Sequence, residues 1–219
     1  MTTRILSSLA ALVVAALTVV SLTGPAPASA AAKKRTCADK GKRPVKVLAR
    51  TKTAVVFERK ARSGQDKGFF LAFACLYKRG ENVPLGIDGD DTPLLAPALA
   101  GPYVAFGYGD CFGVEGLCGI NVNVMDIRTR KTVRSASSFT GGDDHWVTDL
   151  VLTPSGFAAW ISTSHDEDFK SQGIQVHALD SAGSRLLDSR ADEDIKDLRL
   201  KGSTVSWKNA GQKRSATLG

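Results

Sequence analysis

The amino-acid sequence predicts an all-β fold of four four-stranded antiparallel repeats, arranged as a small or incomplete β-propeller. Short apolar runs alternate with turn-forming residues along the chain, which is typical of strands joined by tight turns. No segment keeps the apolar stripe of an amphipathic helix over three turns. One aromatic position recurs at intervals of 49, 54 and 47 residues, at Phe57, Phe106, Trp160 and Trp207. This period is typical of propeller blades, and a β-sandwich with evenly spaced strands is the alternative.

The third repeat, residues 149–180, is the clearest. Two apolar strand patterns flank a tight Pro-x-Gly turn, and a third strand pattern ends at Asp180. The interval from Trp160 to Asp180 is twenty residues, and the same interval separates Phe106 from Asp126. Because one such sheet cannot bury both of its faces alone, we expect the units to stack against one another, with the four aromatic residues in the core.

The repeats predict one domain, residues 44–219, with units at about 44–87, 94–140, 146–188 and 195–219. The fourth unit has a pattern for only three strands. Either the basic segment near Cys37 supplies the missing strand and closes the ring, or the stack stays open. An open stack leaves a strand edge that favours self-association.

The first thirty residues are typical of a secretory signal peptide. They carry a single charge, Arg4, an apolar run over residues 5–22, and the small-residue pattern Ala28-Ser29-Ala30. We therefore expect cleavage near Ala30 and a secreted protein that begins with a basic segment, residues 31–43. An uncleaved anchor is the alternative, because the apolar run approaches the length that spans a bilayer.

All four cysteines lie after the predicted cleavage point, and an even number in an oxidising compartment favours disulfides over zinc binding. Four cysteines allow three pairings. Cys111 and Cys118 sit in one glycine-rich loop, at a spacing that suits a bridge closing that loop. A disulfide between Cys37 and Cys75 follows by elimination.

The third unit carries a family resemblance. The stretches LTPSGFAAWIS and GIQVHALD resemble the repeat of TolB-like and WD-like propellers at Pro154, Gly156, Trp160, Ile174, Val176 and Asp180. The chain is also similar to small exported repeat proteins of actinobacteria. The resemblance implies a propeller-like fold and an exported protein, and it provides no catalytic residues to transfer.

Charge is distributed unevenly along the chain. Residues 31–87 hold fifteen Lys/Arg and four Asp/Glu, residues 88–197 hold eight and eighteen, and residues 198–219 hold five and none. In a closed ring the first and last units are neighbours, so they would form a basic sector suited to an anionic wall or membrane surface. A solvated surface with no partner is the alternative, and no aromatic platform signals nucleic-acid binding.

Strand order also separates the connections. Alternate connections of an antiparallel sheet emerge at opposite ends, so one end collects the acids Asp88, Asp90, Asp91, Asp110, Glu115, Asp143, Asp144, Asp166, Glu167, Asp168, Asp188, Asp192, Glu193 and Asp194. The other end collects the bases Arg50, Lys52, Lys78, Arg79, Arg128, Arg130, Lys131, Arg185 and Lys201. We therefore expect one acidic loop face and one basic turn face.

The candidate metal ligands are Asp143, Asp144, His145, Asp166 and Asp168, all in loops of the third unit on the acidic face. Carboxylates with one imidazole suit calcium through oxygen, or a transition metal through the histidine as well. Their spacing matches no defined metal loop, and solvated acidic loops are the alternative. The sequence therefore requires no cofactor, and calcium is the candidate if one binds.

The remaining histidine of a predicted strand, His177, occupies the position equivalent to Asn123. That position favours a residue of a polar face over a metal ligand.

Function is constrained mainly by missing motifs. The sequence contains no P-loop, dinucleotide fingerprint, HExxH or GxSxG motif. This favours a non-enzymatic exported binding or scaffold module and assigns no catalytic residue. The alternative is a hydrolase or lyase that uses carboxylates and a histidine of the acidic loop face.

We predict that Cys111 is bridged to Cys118. Closing a loop this short should stabilise the fold by about 2 to 3 kcal/mol through the entropy of the unfolded chain. Peptide mapping without reduction should recover the two cysteines in one linked fragment, and finding both as free thiols would contradict the pairing.

Overall fold

The computed structural model describes residues 36–37, 45–62, 64, 67–88, 94–112, 117–139, 144–165, 170–191 and 194–219. Over these ranges the chain forms fifteen β-strands and no helix, so no helix there is long and apolar enough to cross a membrane.

The strands form four antiparallel sheets, each built from strands that are consecutive in sequence. Sheet I contains β1 (Lys46–Arg50), β2 (Ala54–Lys60), β3 (Phe70–Leu76) and β4 (Glu81–Asp88). Sheet II contains β5 (Leu95–Ala100), β6 (Tyr103–Phe112), β7 (Leu117–Asp126) and β8 (Lys131–Ser137). Sheet III contains β9 (Asp144–Leu152), β10 (Ala158–His165), β11 (Ser171–Asp180) and β12 (Gly183–Arg190). Sheet IV contains β13 (Ile195–Lys201), β14 (Thr204–Asn209) and β15 (Gln212–Thr217).

The sheets pack face to face in the order of the sequence. One apolar cluster joins sheets I and II around Val56 and Phe106, another joins II and III around Val122 and Trp160, and a third joins III and IV around Trp207. In the part of the chain that the structure describes, no such cluster joins sheet I to sheet IV. The predicted all-β architecture of antiparallel repeats is confirmed, and the described sheets follow one another without closing.

The four recurring aromatic residues occupy equivalent places in the packing. Each lies in the second strand of its sheet and faces the preceding sheet: Phe106 faces sheet I, Trp160 faces sheet II and Trp207 faces sheet III. Phe57 faces the same way, and because the described residues form no sheet before sheet I, it packs with Cys37 and Phe73. The aromatic period of the sequence therefore marks the interfaces between sheets.

Both outer strands of each four-stranded sheet carry a bulge. In the first strands the register shifts between Val47 and Ala49 of β1 and between Leu95 and Ala98 of β5. In β9 it shifts opposite Ile161 and Ser162 of β10. Matching shifts occur where β4, β8 and β12 pair with the third strands. Bulges increase strand twist and interrupt a flat edge, which disfavours edge-to-edge pairing.

The two ends of the succession of sheets are covered differently. The outer face of sheet I is apolar, and Cys37, which is 1% exposed, is bonded to Cys75 there with a Cα–Cα distance of 5.8 Å. The outer face of sheet IV carries charged and hydroxyl side chains. Repeat proteins commonly end in such a polar outer face, which needs no further sheet.

The predicted Cys37–Cys75 disulfide is thus present. Cys111 and Cys118 are directly opposite each other in the pairing of β6 with β7. Their side chains lie outside the described part of the chain, so their bridge stays a prediction.

Trp160 is completely buried between sheets II and III, and its indole Nε1 donates a 2.7 Å hydrogen bond to the carbonyl oxygen of Ser138. We expect Trp160→Ala to lower the free energy of unfolding by about 3 to 5 kcal/mol, because it leaves a large cavity. Trp160→Phe should cost less, since it keeps an aromatic ring and loses the hydrogen bond. Urea unfolding of both variants measures these losses, and an unchanged midpoint for Trp160→Ala would contradict the assigned packing.

Candidate functional site

The connections between strands fall into two sets at opposite ends of the sheets. The end that we call the turn face contains the connections 51–53, 77–80, 101–102, 127–130, 153–157, 181–182 and 202–203. Contacts between neighbouring sheets show that these turns lie together. Arg79 donates to the carbonyl oxygen of Arg128, Arg130 pairs with Glu81, and Arg185 Nη2 lies 3.1 Å from the carbonyl oxygen of Thr217.

The turn face holds all nine bases that strand order predicts for it. Eight are exposed and Arg185 is half-buried. Each lies in a turn or within three residues of one, at Arg50, Lys52, Lys78, Arg79, Arg128, Arg130, Lys131, Arg185 and Lys201. Of the described acids, Glu81, Asp126 and Asp180 lie at this end.

Asp126 and Asp180 are buried at the ends of the third strands of sheets II and III, where they stabilise the turns that follow. Asp126 Oδ1 accepts the backbone N–H of Arg128 at 2.8 Å, and Asp180 Oδ1 accepts that of Ala182 at 3.0 Å. Both contacts are Asx-type turns, in which a carboxylate replaces a backbone acceptor.

Each of these carboxylates also binds an arginine. Hydrogen bonds from Arg128 hold the pKa of Asp126 below its ordinary value. Burial alone would raise the pKa of Asp180, but hydrogen bonds from Arg185 and Ala182 lower it. The two acids are therefore ionised parts of the turns and are neutralised locally.

Five bases of the turn face pair with no acid among the described residues: Lys52, Lys78, Arg79, Lys131 and Lys201. All five are exposed. Because the acids of this end are already paired with arginines, these five cations give the turn face its excess of positive charge.

The acidic loop face is described only in part. Asp143, Asp166 and Asp168 lie outside the described residues, and Asp144 is described only through its backbone, which begins β9. His145 is buried, and its ring stacks on Phe139 with centroids 5.7 Å apart. Within the described ranges, no group of three or more His, Cys, Asp or Glu could hold a metal ion. The metal site stays a prediction.

Asp188 was expected on the acidic loop face, and for this residue that expectation is wrong. Its carboxylate is buried between sheets III and IV, where Oδ2 accepts hydrogen bonds from Trp207 Nε1 at 2.7 Å and Asn209 Nδ2 at 2.8 Å. Burial alone would raise the pKa of Asp188, but these hydrogen bonds and the charge of Arg214 lower it. Asp188 joins two sheets and is unavailable to a ligand.

The burial of His177 is a feature that the sequence analysis did not predict. His177 was expected on a polar face, yet it is 2% exposed and stacks on Trp160 with ring centroids 5.2 Å apart. Its Nε2 lies 2.7 Å from Gln175 Oε1. Burial lowers the pKa of His177 to about 4, so the ring is neutral at neutral pH. The signal that could have predicted the burial of His177 is the strand register, because His177 lies directly opposite the buried Trp160 in the pairing of β10 with β11.

Comparisons with known proteins give little beyond the fold. No protein-family model matches the sequence, and no curated protein matches it. Among solved structures, the chain is similar to the acylaminoacyl peptidase of Pyrococcus horikoshii, with 10% identity and a TM-score of 0.47. The similarity covers 84% of this chain and 34% of that chain, so this chain spans about a third of the peptidase. A likeness at this level carries no inference about activity.

Buried His177 predicts a specific loss of stability in mild acid. The pKa of His177 is about 4 in the folded protein, whereas an unperturbed histidine, as in the unfolded chain, has a pKa of 6.5. Between these two pH values the imidazole is protonated in the unfolded chain and neutral in the folded protein. Stability should be complete above pH 6.5 and fall by about 3 kcal/mol as the pH decreases to about 4. Chemical unfolding of the wild type and His177→Gln across this range measures the difference.

Comparing the wild type with His177→Gln separates the effect of His177 from that of the other titrating groups, which both proteins share. Asp126, Asp180 and Asp188 have pKa values lowered from 3.8, so their stabilisation is lost only below that pH. Burial raises the pKa of Asp149, and its effect is common to both proteins. Equal pH dependence of the two proteins between pH 6.5 and 4 would contradict the role of His177.

Proposed function

We propose that this chain is an exported, non-enzymatic binding module whose turn face binds an anionic surface of the cell wall or membrane. The observation that carries the proposal is the group of five exposed bases that pair with no acid in the described chain. The signal-peptide pattern of the first thirty residues supports an extracellular location.

The turns are suited to this role because they are held in place before any partner arrives. Buried Asp126 and Asp180 fix two of them, and contacts of Arg79 and Arg130 join neighbouring sheets. On fixed turns only the side chains of the bases, and not the backbone, lose conformational freedom on binding. Each contributes about 1 kcal/mol near an anionic membrane surface, through attraction that salt weakens.

Catalysis on the acidic loop face has less support. A hydrolase or lyase would need His145 beside the carboxylates of Asp144, Asp166 and Asp168 in an open pocket. The side chain of His145 is buried and stacks on Phe139, whereas the bases of the turn face are exposed. Accessibility therefore favours binding over catalysis.

We predict that the protein sediments with vesicles containing phosphatidylglycerol and not with vesicles of phosphatidylcholine alone. Removing three bases, by Lys52→Ser, Lys78→Ser and Lys131→Ser together, should weaken this binding about a hundredfold in low salt. The matched control replaces Lys60, Arg62 and Lys67 with Ser, which removes the same charge at the other end of sheet I.

The control should keep most of the affinity. Equal losses in the two triple variants would show attraction by net charge alone and would contradict a binding role for the turn face. Equal binding to both kinds of vesicle would contradict the proposal as a whole.

A further inference from the structure

The outward face of sheet IV is a second exposed basic surface, which shares only Lys201 with the turn face. In β14, Val205, Trp207 and Asn209 are buried against sheet III. Because side chains alternate along a strand, the residues between them point away from the sheets. Their cross-strand partners in β13 and β15 share that outward direction.

The outward residues form an array of three rows across three strands. The pairing gives the rows Lys201-Thr204-Thr217, Arg199-Ser206-Ser215 and Lys196-Lys208-Lys213. Five of these nine positions are basic, four carry hydroxyl groups, and none is apolar. All are exposed except Ser206, which is half-buried.

Two acids border the array and neutralise part of it. Lys208 Nζ lies 2.6 Å from Asp197 Oδ2, and Lys196 Nζ lies 3.0 Å from Asp194 Oδ1. Asp197 sits in the bulge of β13, with φ of 62°. Arg199, Lys201 and Lys213 pair with no acid in the described part of the chain. The face therefore keeps an excess of positive charge.

We propose that this face binds an extended polymer in which phosphodiester and hydroxyl groups alternate, as in a polyol phosphate. The occupant must be polar and negative, because burying these bases under an apolar sheet would leave charges without partners. A second copy that met this face with its own outward face of sheet IV would present the same positive charge and be repelled. The edge strand β15 also carries Lys213 and Arg214, and charged side chains disfavour strand addition.

The spacing of the array matches this chemistry. Neighbouring strands lie about 4.8 Å apart, and alternate residues of a strand lie about 6.6 Å apart. Four of the five basic side chains, all except Lys196, are thus one spacing from a hydroxyl donor. This suits a polymer that presents an anion and hydroxyl groups in turn. Arg199 can bind two phosphate oxygens at once. The face has no aromatic side chain on which nucleic-acid bases could stack.

The proposal is independent of the vesicle-binding turn face, and the test separates them. The probe is a short synthetic poly(glycerol phosphate), titrated against the mature protein at several salt concentrations. The test variant combines Arg199→Ser with Lys213→Ser, which leaves no acid unpaired. Its matched control combines Lys52→Ser with Lys131→Ser on the turn face.

We expect the test variant to lose about thirtyfold in affinity for the polymer in low salt. The slope of log affinity against log salt should also fall by about two, one for each base removed. The control should lose clearly less affinity for the polymer than the test variant does. In vesicle sedimentation the pattern should reverse, with the test variant binding like the wild type.

Several results would overturn the proposal. No binding of the polymer, equal losses in the two variants, or a loss confined to the turn-face control would each do so, and the last would leave the vesicle-binding role intact. Ser206→Ala combined with Ser215→Ala should weaken binding severalfold without changing the salt slope. Tighter binding of polyglutamate or single-stranded DNA would show that the face recognises charge without the hydroxyl pattern.

Discussion

The burial of sheet faces is the constraint on which the rest of the structure depends. A four-stranded sheet with apolar residues on both sides is stable only where each side is covered. Three interfaces meet this need by placing Phe106, Trp160 and Trp207 against the sheet before them. The succession has two ends, and they differ: sheet I ends in an apolar face with a disulfide, and sheet IV ends in a polar one.

The same strand order determines the electrostatics. Connections alternate between the two ends of every sheet, so residues that are scattered in sequence meet at one end. At the turn face, the acids do more than balance the charge of exposed bases. Asp126 and Asp180 are buried acceptors that fix two of the turns, while the lysines of the turn face stay in water. Fixed turns and accessible positive charges thus lie together at the same end of the sheets.

Local features were predictable from the sequence, whereas features that depend on neighbouring sheets were not. The aromatic period and the aspartates that end the third strands follow from patterns within one repeat. Cys37 with Cys75 could be inferred by elimination. Asp188 and His177 were misplaced because their burial depends on which sheet covers them. Only the stacking order decides that Trp207 meets Asp188, and no local pattern encodes it.

Each sheet consists of strands that are adjacent in sequence, and this arrangement has a consequence for how the chain folds. Its hairpins form between residues close along the chain, so they need little loop-closure entropy. Cys37 and Cys75 are 38 residues apart, and every residue of sheet I lies before the other sheets begin. The first sheet can therefore fold and be cross-linked before the later sheets form, and each later sheet then adds to a surface that is already formed.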